Sequence, residues 1–407
     1  MLHKLELVES KPSILKISEV EAALLSEIGR ELASTQPWWG DRQPPETRSV
    51  VDVRRAMDDR YEVTFREVIG VVQIGQRQIH VRPKIPWEHF IFIASRSEFA
   101  PRLSIETASL EPGFEFLEIL CRWYLDATER LLSLGLRCDY LEVFEECGEV
   151  RGQLIPLLTA IEVMKGRPIA SCRFDDLSID TPFNRIIRAT CERVARLDKV
   201  SAEVAKRSRR LVYRMDGVGA LRQADRRLKP DRLLKTYIRP LGLARLILDG
   251  CGVSLSDGHT QGTSFLIRTP EIIEDGLRTI IAEGMPSISV EKRRQLLGDS
   301  GISINPDIVF GDRIAIADVK YKLFGPDWNR NDFNQIVAFA TAFDCERCAL
   351  LGFISESGFP RPSVVNVGRV EATRIGWPIG PGAQPGRVAE AVISGLNNWL
   401  SAVDSVS

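Results

Sequence analysis

No stretch of this chain approaches the ~18 apolar residues that a membrane helix requires. Its first residues, Met1 to Pro12, lack the apolar core of a signal peptide. A soluble, cytoplasmic protein with no membrane partner is expected. Histidine is scarce, at four residues, and the eight cysteines are scattered, with only Cys345 and Cys348 spaced as Cys-x-x-Cys. Without a second such pair a structural zinc site is not expected, and the thiols read as reduced and mostly buried. His80 and His89 are not expected to be metal ligands. A Gly-x-x-x-x-Gly-Lys-Ser/Thr phosphate loop is also missing, so any nucleotide hydrolysis has to come from another chain. Net charge is nearly absent as well: 54 Lys+Arg stand against 55 Asp+Glu.

What is present is enough to build ordinary cores, because 44% of the 407 residues are hydrophobic. Single cores stop growing at roughly 250–300 residues, so the length implies two or three domains. The patterning predicts a multidomain α+β protein in three blocks. Residues 1–100 form a β-rich adaptor module, with a helix from Glu19 to Ala33 behind a Ser18/Glu21 capping box. A strand at Tyr61, Val63 and Phe65 follows, then a hairpin joining Val71–Ile74 to Ile79–Val81 across Gly75. Residues 101–250 form a helical middle region, with helices around Leu117–Leu132, Phe183–Leu197 and Val200–Tyr213. Residues 251–407 form an α/β domain with a mixed central sheet. Its elements are a helix at Pro270–Ile281, strands at Ile304–Phe310 and Ile314–Tyr321, and a helix at Asp332–Phe343. Strands at Ala349–Ile354 and Val364–Val367, a loop at Gly376–Gly386 and a helix at Val388–Val403 complete it.

The near-zero net charge conceals an asymmetry. Between Arg185 and Arg245 there are 18 lysines and arginines against six acids, a surplus of 12, so the rest of the chain carries −13 against the whole-chain −1. Such a stretch suits a polyanion, and Lys206, Arg207, Arg209, Arg210, Arg226 and Arg227 are the candidate contacts to double-stranded DNA. The alternative is a set of solvated helix faces with some arginines paired internally. Asn184 and Arg185 fit a helix start of structural purpose, and Trp38 with Trp39 fits either a docking patch or plain core.

The chemistry is concentrated in two β-rich segments, Asn305-Pro306-Asp307-Ile308-Val309-Phe310 and Ile314-Ala315-Ile316-Ala317-Asp318-Val319-Lys320, around Gly311-Asp312-Arg313. A turn centred on Gly311 and Asp312 places Val309 opposite Ile314 and Asp307 opposite Ile316. Asp307 and Asp318 are then diagonal neighbours about 7–8 Å apart, and Asp318 shares a face with Lys320. Two carboxylates and an ammonium converging on one point suit metal-assisted phosphodiester cleavage. Asp307 and Asp318 would hold Mg²⁺, or Mn²⁺ in its place, and Lys320 would orient the attacking water. A third acid is expected from the helix before, where Glu271, Glu274 and Asp275 are available and Glu274 is the choice. The plain alternative is a same-face surface ion pair between Asp318 and Lys320.

Pro306-Asp307 followed eleven positions later by Asp318-Val319-Lys320 resembles the PD-(D/E)xK nuclease superfamily, with its restriction-endonuclease-like fold. Asn331-Asp332-Phe333-Asn334-Gln335-Ile336 is similar to the helix after the active-site hairpin in the McrC family, where Gln335 matches a recurrent active-site glutamine. Phe265 to Asp275, Val150 to Leu154, Phe174 to Arg185 and Ile79 to Lys84 resemble further parts of that family. The likeness spans residues 61 to 355. It implies the nuclease subunit of a McrBC-type modification-dependent restriction system, which cleaves DNA in complex with a hexameric McrB-like AAA+ NTPase and stimulates that motor. Two rivals remain open: a non-catalytic activator and DNA clamp of such a motor, and a stand-alone repair nuclease.

Overall fold

A computed structural model describes residues 3–35, 49–58, 60–75, 77–97, 114–197, 200–225, 228, 235–250, 265–355 and 363–401. The chain divides into two compact units, Met1–Leu120 with Arg245–Ser407, and Cys121–Ala244. Trp38, Trp39, Arg226 and Arg227 lie outside the described residues.

The N-terminal part of the first unit contains β1 (His3–Val8), β2 (Ser13–Leu15), α1 (Glu19–Thr35), β3 (Val51–Arg55), β4 (Tyr61–Phe65), β5 (Val68–Ile74), β6 (Arg77–Arg82) and α2 (Trp87–Ala94). The capping box forms: the Glu21 N–H donates to Ser18 Oγ at 3.2 Å and the Ser18 N–H donates to the Glu21 carboxylate at 2.8 Å. The β5–β6 hairpin closes beside Gly75, whose φ of +53° is a left-handed conformation that glycine adopts without a Cβ clash. Leu25 and Ile28 of α1 pack with Val63, Phe65, Val72, Ile79 and Val81 into one core.

The second unit takes in α3 (Phe114–Leu134) from Cys121 onward, β7 (Asp139–Cys147), β8 (Gln153–Leu154), α4 (Pro156–Met164), β9 (Ala170–Ser178), α5 (Pro182–Ala195), α6 (Ala202–Arg214) and α7 (Lys235–Gly250) as far as Ala244. The three antiparallel strands, ordered β7-β9-β8, depart from the helical middle region expected from sequence. The reason is exposure: Tyr140, Glu142, Phe144 and Glu146 on one face of β7 are all exposed, so the strand carries no continuous apolar stripe to announce it. Asn184 and Arg185 are internal, in agreement with a structural helix start. The Asn184 amide donates to the carbonyls of Arg137 and Ile179 at 2.9 and 2.7 Å and accepts from the Tyr237 hydroxyl at 2.7 Å.

Returning to the first unit, the chain forms β10 (Phe265–Arg268), α8 (Pro270–Gly284), β11 (Val290–Glu291), β12 (Gln295–Leu296), β13 (Ser303–Ile304), β14 (Ile308–Phe310), β15 (Ala315–Leu323), α9 (Arg330–Phe343), β16 (Arg347–Ile354), β17 (Val364–Val367), β18 (Val370–Pro378) and α10 (Pro385–Ser401). The single strand expected over Ile304–Phe310 is two, because Pro306 has no N–H to donate to a ladder. Likewise β18 occupies the start of the stretch expected to be a loop at Gly376–Gly386. It is sheltered between β16 and β17 in a six-stranded sheet ordered β11-β14-β15-β16-β18-β17. The sheet is mixed: β15, β16 and β18 run parallel and the remaining neighbours antiparallel. Ile336, Ala340 and Phe343 of α9 cover one face against Ile316, Leu350 and Ala372. Helices α8 and α10 pack on β15 and β18.

Blocks 1–100 and 251–407, read from sequence as separate, share one unit. β10 extends the N-terminal sheet, ordered β1-β6-β5-β10, and Leu266 enters the N-terminal core. A four-residue strand acquires a stable position only against such a partner, and its pairing with β5, about 200 residues away in sequence, leaves no local trace. No helix among the described residues is long and apolar enough to cross a membrane.

Candidate active site

The site is set by the β14–β15 hairpin, and its register differs from the sequence expectation by two residues. Phe310 pairs with Ala315, Val309 with Ile316 and Ile308 with Ala317. The connection is a four-residue loop in which Gly311 and Arg313 take positive φ and the Ile314 N–H donates to the Phe310 carbonyl at 3.0 Å. Ile314 therefore belongs to the turn, 48% exposed, and not to the buried stripe. A slip of two keeps every side chain on its face, but continued by one residue it sets Asp307 directly across from Asp318. Directly opposed positions lie about 4.5–5.5 Å apart, closer than the diagonal first expected.

Both aspartates are buried, at 6% and 4% exposure. Asp307 Oδ2 accepts the Val319 N–H at 3.0 Å, and Asp307 Oδ1 lies 2.9 Å from Lys292 Nζ. Asp318 Oδ2 lies 2.6 Å from Lys320 Nζ, which in turn donates to Gln335 Oε1 at 2.7 Å from α9. The structure thus brings Asp307, Asp318, Lys320 and Gln335 together. Of the three acids on α8, Glu271 faces Arg268 at 3.1 Å and Asp275 is held by Arg278. Glu274 reaches the site, through Lys292 Nζ at 3.3 Å.

Lys292 escaped the sequence reading. It follows a two-residue strand and begins the charged run Lys292-Arg293-Arg294, which reads as an ordinary solvated turn. The only available signal was its position just after a short strand between the acidic helix and Asp307, and that strand becomes visible only once β11 pairs with β14.

The electrostatics follow from burial and crowding. Burial, then the Asp307 charge, push Glu274 up to about 8; the same two causes push Asp318 up to about 6. Burial works against Asp307 too, but Lys292 and the Val319 N–H outweigh it and hold that carboxyl below its ordinary value. Lys292 and Lys320 are raised, because the neighbouring carboxylates overcome the burial penalty on their ammonium groups.

Among the described residues no three His, Cys, Asp or Glu side chains are gathered as a finished metal cage, and the cation lying between Glu274 and Asp307 is Lys292. The donor set nevertheless fits a hard divalent ion. It is made of oxygens, two of its carboxylates are opposed at a cost that a dication relieves, and Mg²⁺ commonly takes only one or two carboxylates while keeping waters.

These shifts have signs that can be tested. A carboxyl whose folded-state pKa exceeds its unfolded value contributes stability below the unfolded value and loses it as pH rises toward the folded one. Without divalent ions the melting temperature is expected to fall as pH rises from about 4 to about 8. Glu274→Gln should flatten the part of that fall nearest pH 8. Divalent-ion affinity should rise over the same window, as Glu274 gives up its proton. A parent and a Glu274→Gln variant with the same pH slope in a melting series would contradict this.

The basic stretch is less free than its composition suggests. Arg207 of α6 is taken up by Asp126 and Glu129 of α3, so it departs from the expected DNA contacts: two carboxylates already neutralise it. Arg185 is bound to Asp225 at 2.9 Å. Lys206, Arg209 and Arg210 are exposed on α6. His80 hydrogen-bonds Gln78 at 3.0 Å, while His89 lies between the Ala383 carbonyl and Trp377 Nε1, each at 2.9 Å. Both histidines serve the core.

Comparison with known proteins agrees with the likeness read from the motifs. No curated protein matches the chain. Among solved structures it is similar to a chain from Thermococcus gammatolerans, in a refined half-complex from the tetradecameric assembly of McrB AAA+ hexamers with bound McrC. The TM-score is 0.60 at 16% identity, covering 97% of this chain and 99% of that one. A chain of the cryo-EM structure of the Thermococcus gammatolerans McrBC complex aligns with TM-score 0.44 and 16% identity, over 69% of this chain and 88% of that one. The family model described as McrBC 5-methylcytosine restriction system component matches residues 63–353, a span that includes Glu274, Lys292, Asp307, Asp318, Lys320 and Gln335. The chain belongs to the McrBC 5-methylcytosine restriction system component family.

Proposed function

We propose that this protein is the DNA endonuclease subunit of a McrBC-type restriction system, dependent on Mg²⁺ or Mn²⁺, and that it both stimulates and is activated by a McrB-like AAA+ hexamer. The observation that carries the reading is the opposed, buried Asp307–Asp318 pair with Lys320 and Gln335 on the same side, in a chain of this family. A mixed sheet with an acid-bearing helix before the hairpin and an amphipathic helix after it supports a restriction-endonuclease-like reading of the domain at 251–407.

In this reading Asp307, Asp318 and Glu274 hold the divalent ion. When bound, it would supply neutralisation of the charge that builds on the phosphate and acidify a coordinated water. Lys320, fixed between Asp318 and Gln335, positions the attacking water and faces the phosphate with its ammonium. Gln335 sets the lysine's direction. Exposed Lys206, Arg209 and Arg210, with Arg226 and Arg227, would contact double-stranded DNA. The AAA+ partner is brought in by the Thermococcus gammatolerans relative, which is assembled with McrB hexamers.

The test is plasmid cleavage by the purified protein in Mg²⁺ and in EDTA, with and without a McrB-like AAA+ protein. Cleavage only with both metal and partner is expected. Cleavage without the partner would favour a stand-alone nuclease. Faster nucleotide hydrolysis by the partner with no cleavage in any mixture would favour the non-catalytic activator.

A further inference from the structure

Two lysines face the carboxylates, and they are held very differently. Lys320 Nζ is anchored twice, by Asp318 Oδ2 at 2.6 Å and Gln335 Oε1 at 2.7 Å, and its side chain is 20% exposed. Lys292 comes from the other side, from the end of the edge strand β11, and its side chain is 36% exposed. Among the described residues its partners are the carboxylates that a metal would use, Asp307 Oδ1 at 2.9 Å and Glu274 Oε2 at 3.3 Å. The two residues before it, Val290 and Glu291, pair with Phe310 and Val309, so the sheet holds the backbone there while the Lys292 side chain is held by the carboxylates.

We propose that Lys292 is the resident cation of the site: it holds Glu274 and Asp307 together until a divalent ion arrives, and it must leave them for that ion to bind. This inference rests on the metal-dependent nuclease reading. The physical argument is exclusion. Mg²⁺ sits about 2.0–2.1 Å from its oxygen ligands and tolerates little distortion, so Asp307 Oδ1 cannot serve the ammonium and the dication in the same direction. With both lysines in place the charges of Asp307 and Asp318 are already matched, and a dication would enter against two like charges. A partly exposed lysine on a flexible four-carbon stem can move out to water once the dication takes over its charge at the buried carboxylates, whereas Lys320 is kept by its second anchor. Lys292 thereby sets the metal concentration at which the site fills, and it guards the opposed carboxylates when no metal is present.

The test is Mn²⁺ binding to the full-length protein by calorimetry, together with thermal melting in EDTA and in Mn²⁺, for the parent and for Lys292→Met. The variant is expected to bind Mn²⁺ about tenfold more tightly, to melt at lower temperature than the parent in EDTA, and to recover most of that difference when Mn²⁺ is added. Lys292→Gln, which keeps an amide donor without the charge, should also bind more tightly and serves if the methionine variant does not fold. The double variant Lys292→Met with Glu274→Gln should regain part of the melting temperature in EDTA, because Asp307 then no longer faces a second carboxyl that can ionise beside it. Unchanged or weaker Mn²⁺ binding in both single variants, with the parent binding normally, overturns the inference and leaves the nuclease reading standing. No Mn²⁺ binding by the parent overturns the nuclease reading and the inference with it.

Discussion

Asp318→Ala is expected to lower DNA cleavage by on the order of 10³-fold or more, the equivalent of the several kcal/mol of charge stabilisation that a correctly held metal provides. The side chain removed is one half of the opposed pair and the ion partner of Lys320 at 2.6 Å. On the proposed reading its loss takes away a metal ligand and also frees the ammonium assigned to face the phosphate. Folding should survive. Burial and the Asp307 charge already push Asp318 up to about 6, so this carboxylate is a strained group, and removing it relieves repulsion from Asp307. The combination distinguishes a site residue from a structural one: cleavage lost, melting temperature in EDTA unchanged or higher, and stimulation of the AAA+ partner's nucleotide hydrolysis retained. Retained cleavage in this variant would remove Asp318 from the site. Lost cleavage together with lost folding would return the Asp318–Lys320 pair to the role of a structural ion pair.

Arg185→Ala is expected to destabilise the protein by about 3–5 kcal/mol, the range for breaking a buried ion pair from one side. Arg185 is 4% exposed and Asp225 3%. The guanidinium makes a two-pronged contact with the carboxylate, Nε to Oδ2 and Nη2 to Oδ1, both at 2.9 Å. Nη1 also donates to the Asp180 carbonyl at 2.6 Å. Among the described residues, removing the arginine leaves the buried Asp225 carboxylate with the Arg222 N–H, at 2.8 Å, as its remaining donor. Urea unfolding of parent and variant measures the loss, and Asp225→Ala in the Arg185→Ala background should restore part of it. The pair also has a pH signature. Hydrogen bonding to Arg185 holds the Asp225 carboxyl below its ordinary value, so its contribution is present above the usual carboxylate range and is lost as pH falls through the lowered folded-state value. An Arg185→Ala variant of parent stability but weakened DNA affinity would place this arginine on a binding surface after all.

Much of the local structure was legible. The Ser18/Glu21 box starts α1 where the spacing said it would, because capping is satisfied within one turn. The β5–β6 hairpin closes at Gly75 because a left-handed turn position and two alternating apolar strands are local requirements. Residue type and spacing single out Asp307, Asp318 and Lys320, and the likeness to the McrC family's helix adds Gln335; in the structure Lys320 meets Asp318 and Gln335, while Lys292 joins Asp307 to Glu274. Nothing in the sequence separates Glu274 from Glu271 and Asp275; the separation lies in the positions of Arg268 and Arg278, which engage the other two acids.

Other features could not be read, for one recurring reason. Apolar periodicity reports which face of an element is buried, and it is blind to what lies across from it. A two-residue slip in the β14–β15 register leaves the periodicity unchanged, so the sequence could not tell a diagonal pair of aspartates from an opposed one. Arg207 looked free for DNA because Asp126 and Glu129 are about 80 positions away and meet it only through the packing of α6 on α3. The sequence by itself determined the α/β content, the helix starts, the turn glycine and the residue types of the site, since these follow from interactions within a few positions along the chain. The opposed aspartates, the lysine lodged between Glu274 and Asp307, and the union of β10 with the N-terminal sheet were decided by tertiary structure alone. Each depends on which strands pair and in what register, and that choice is made by burial summed over many distant residues.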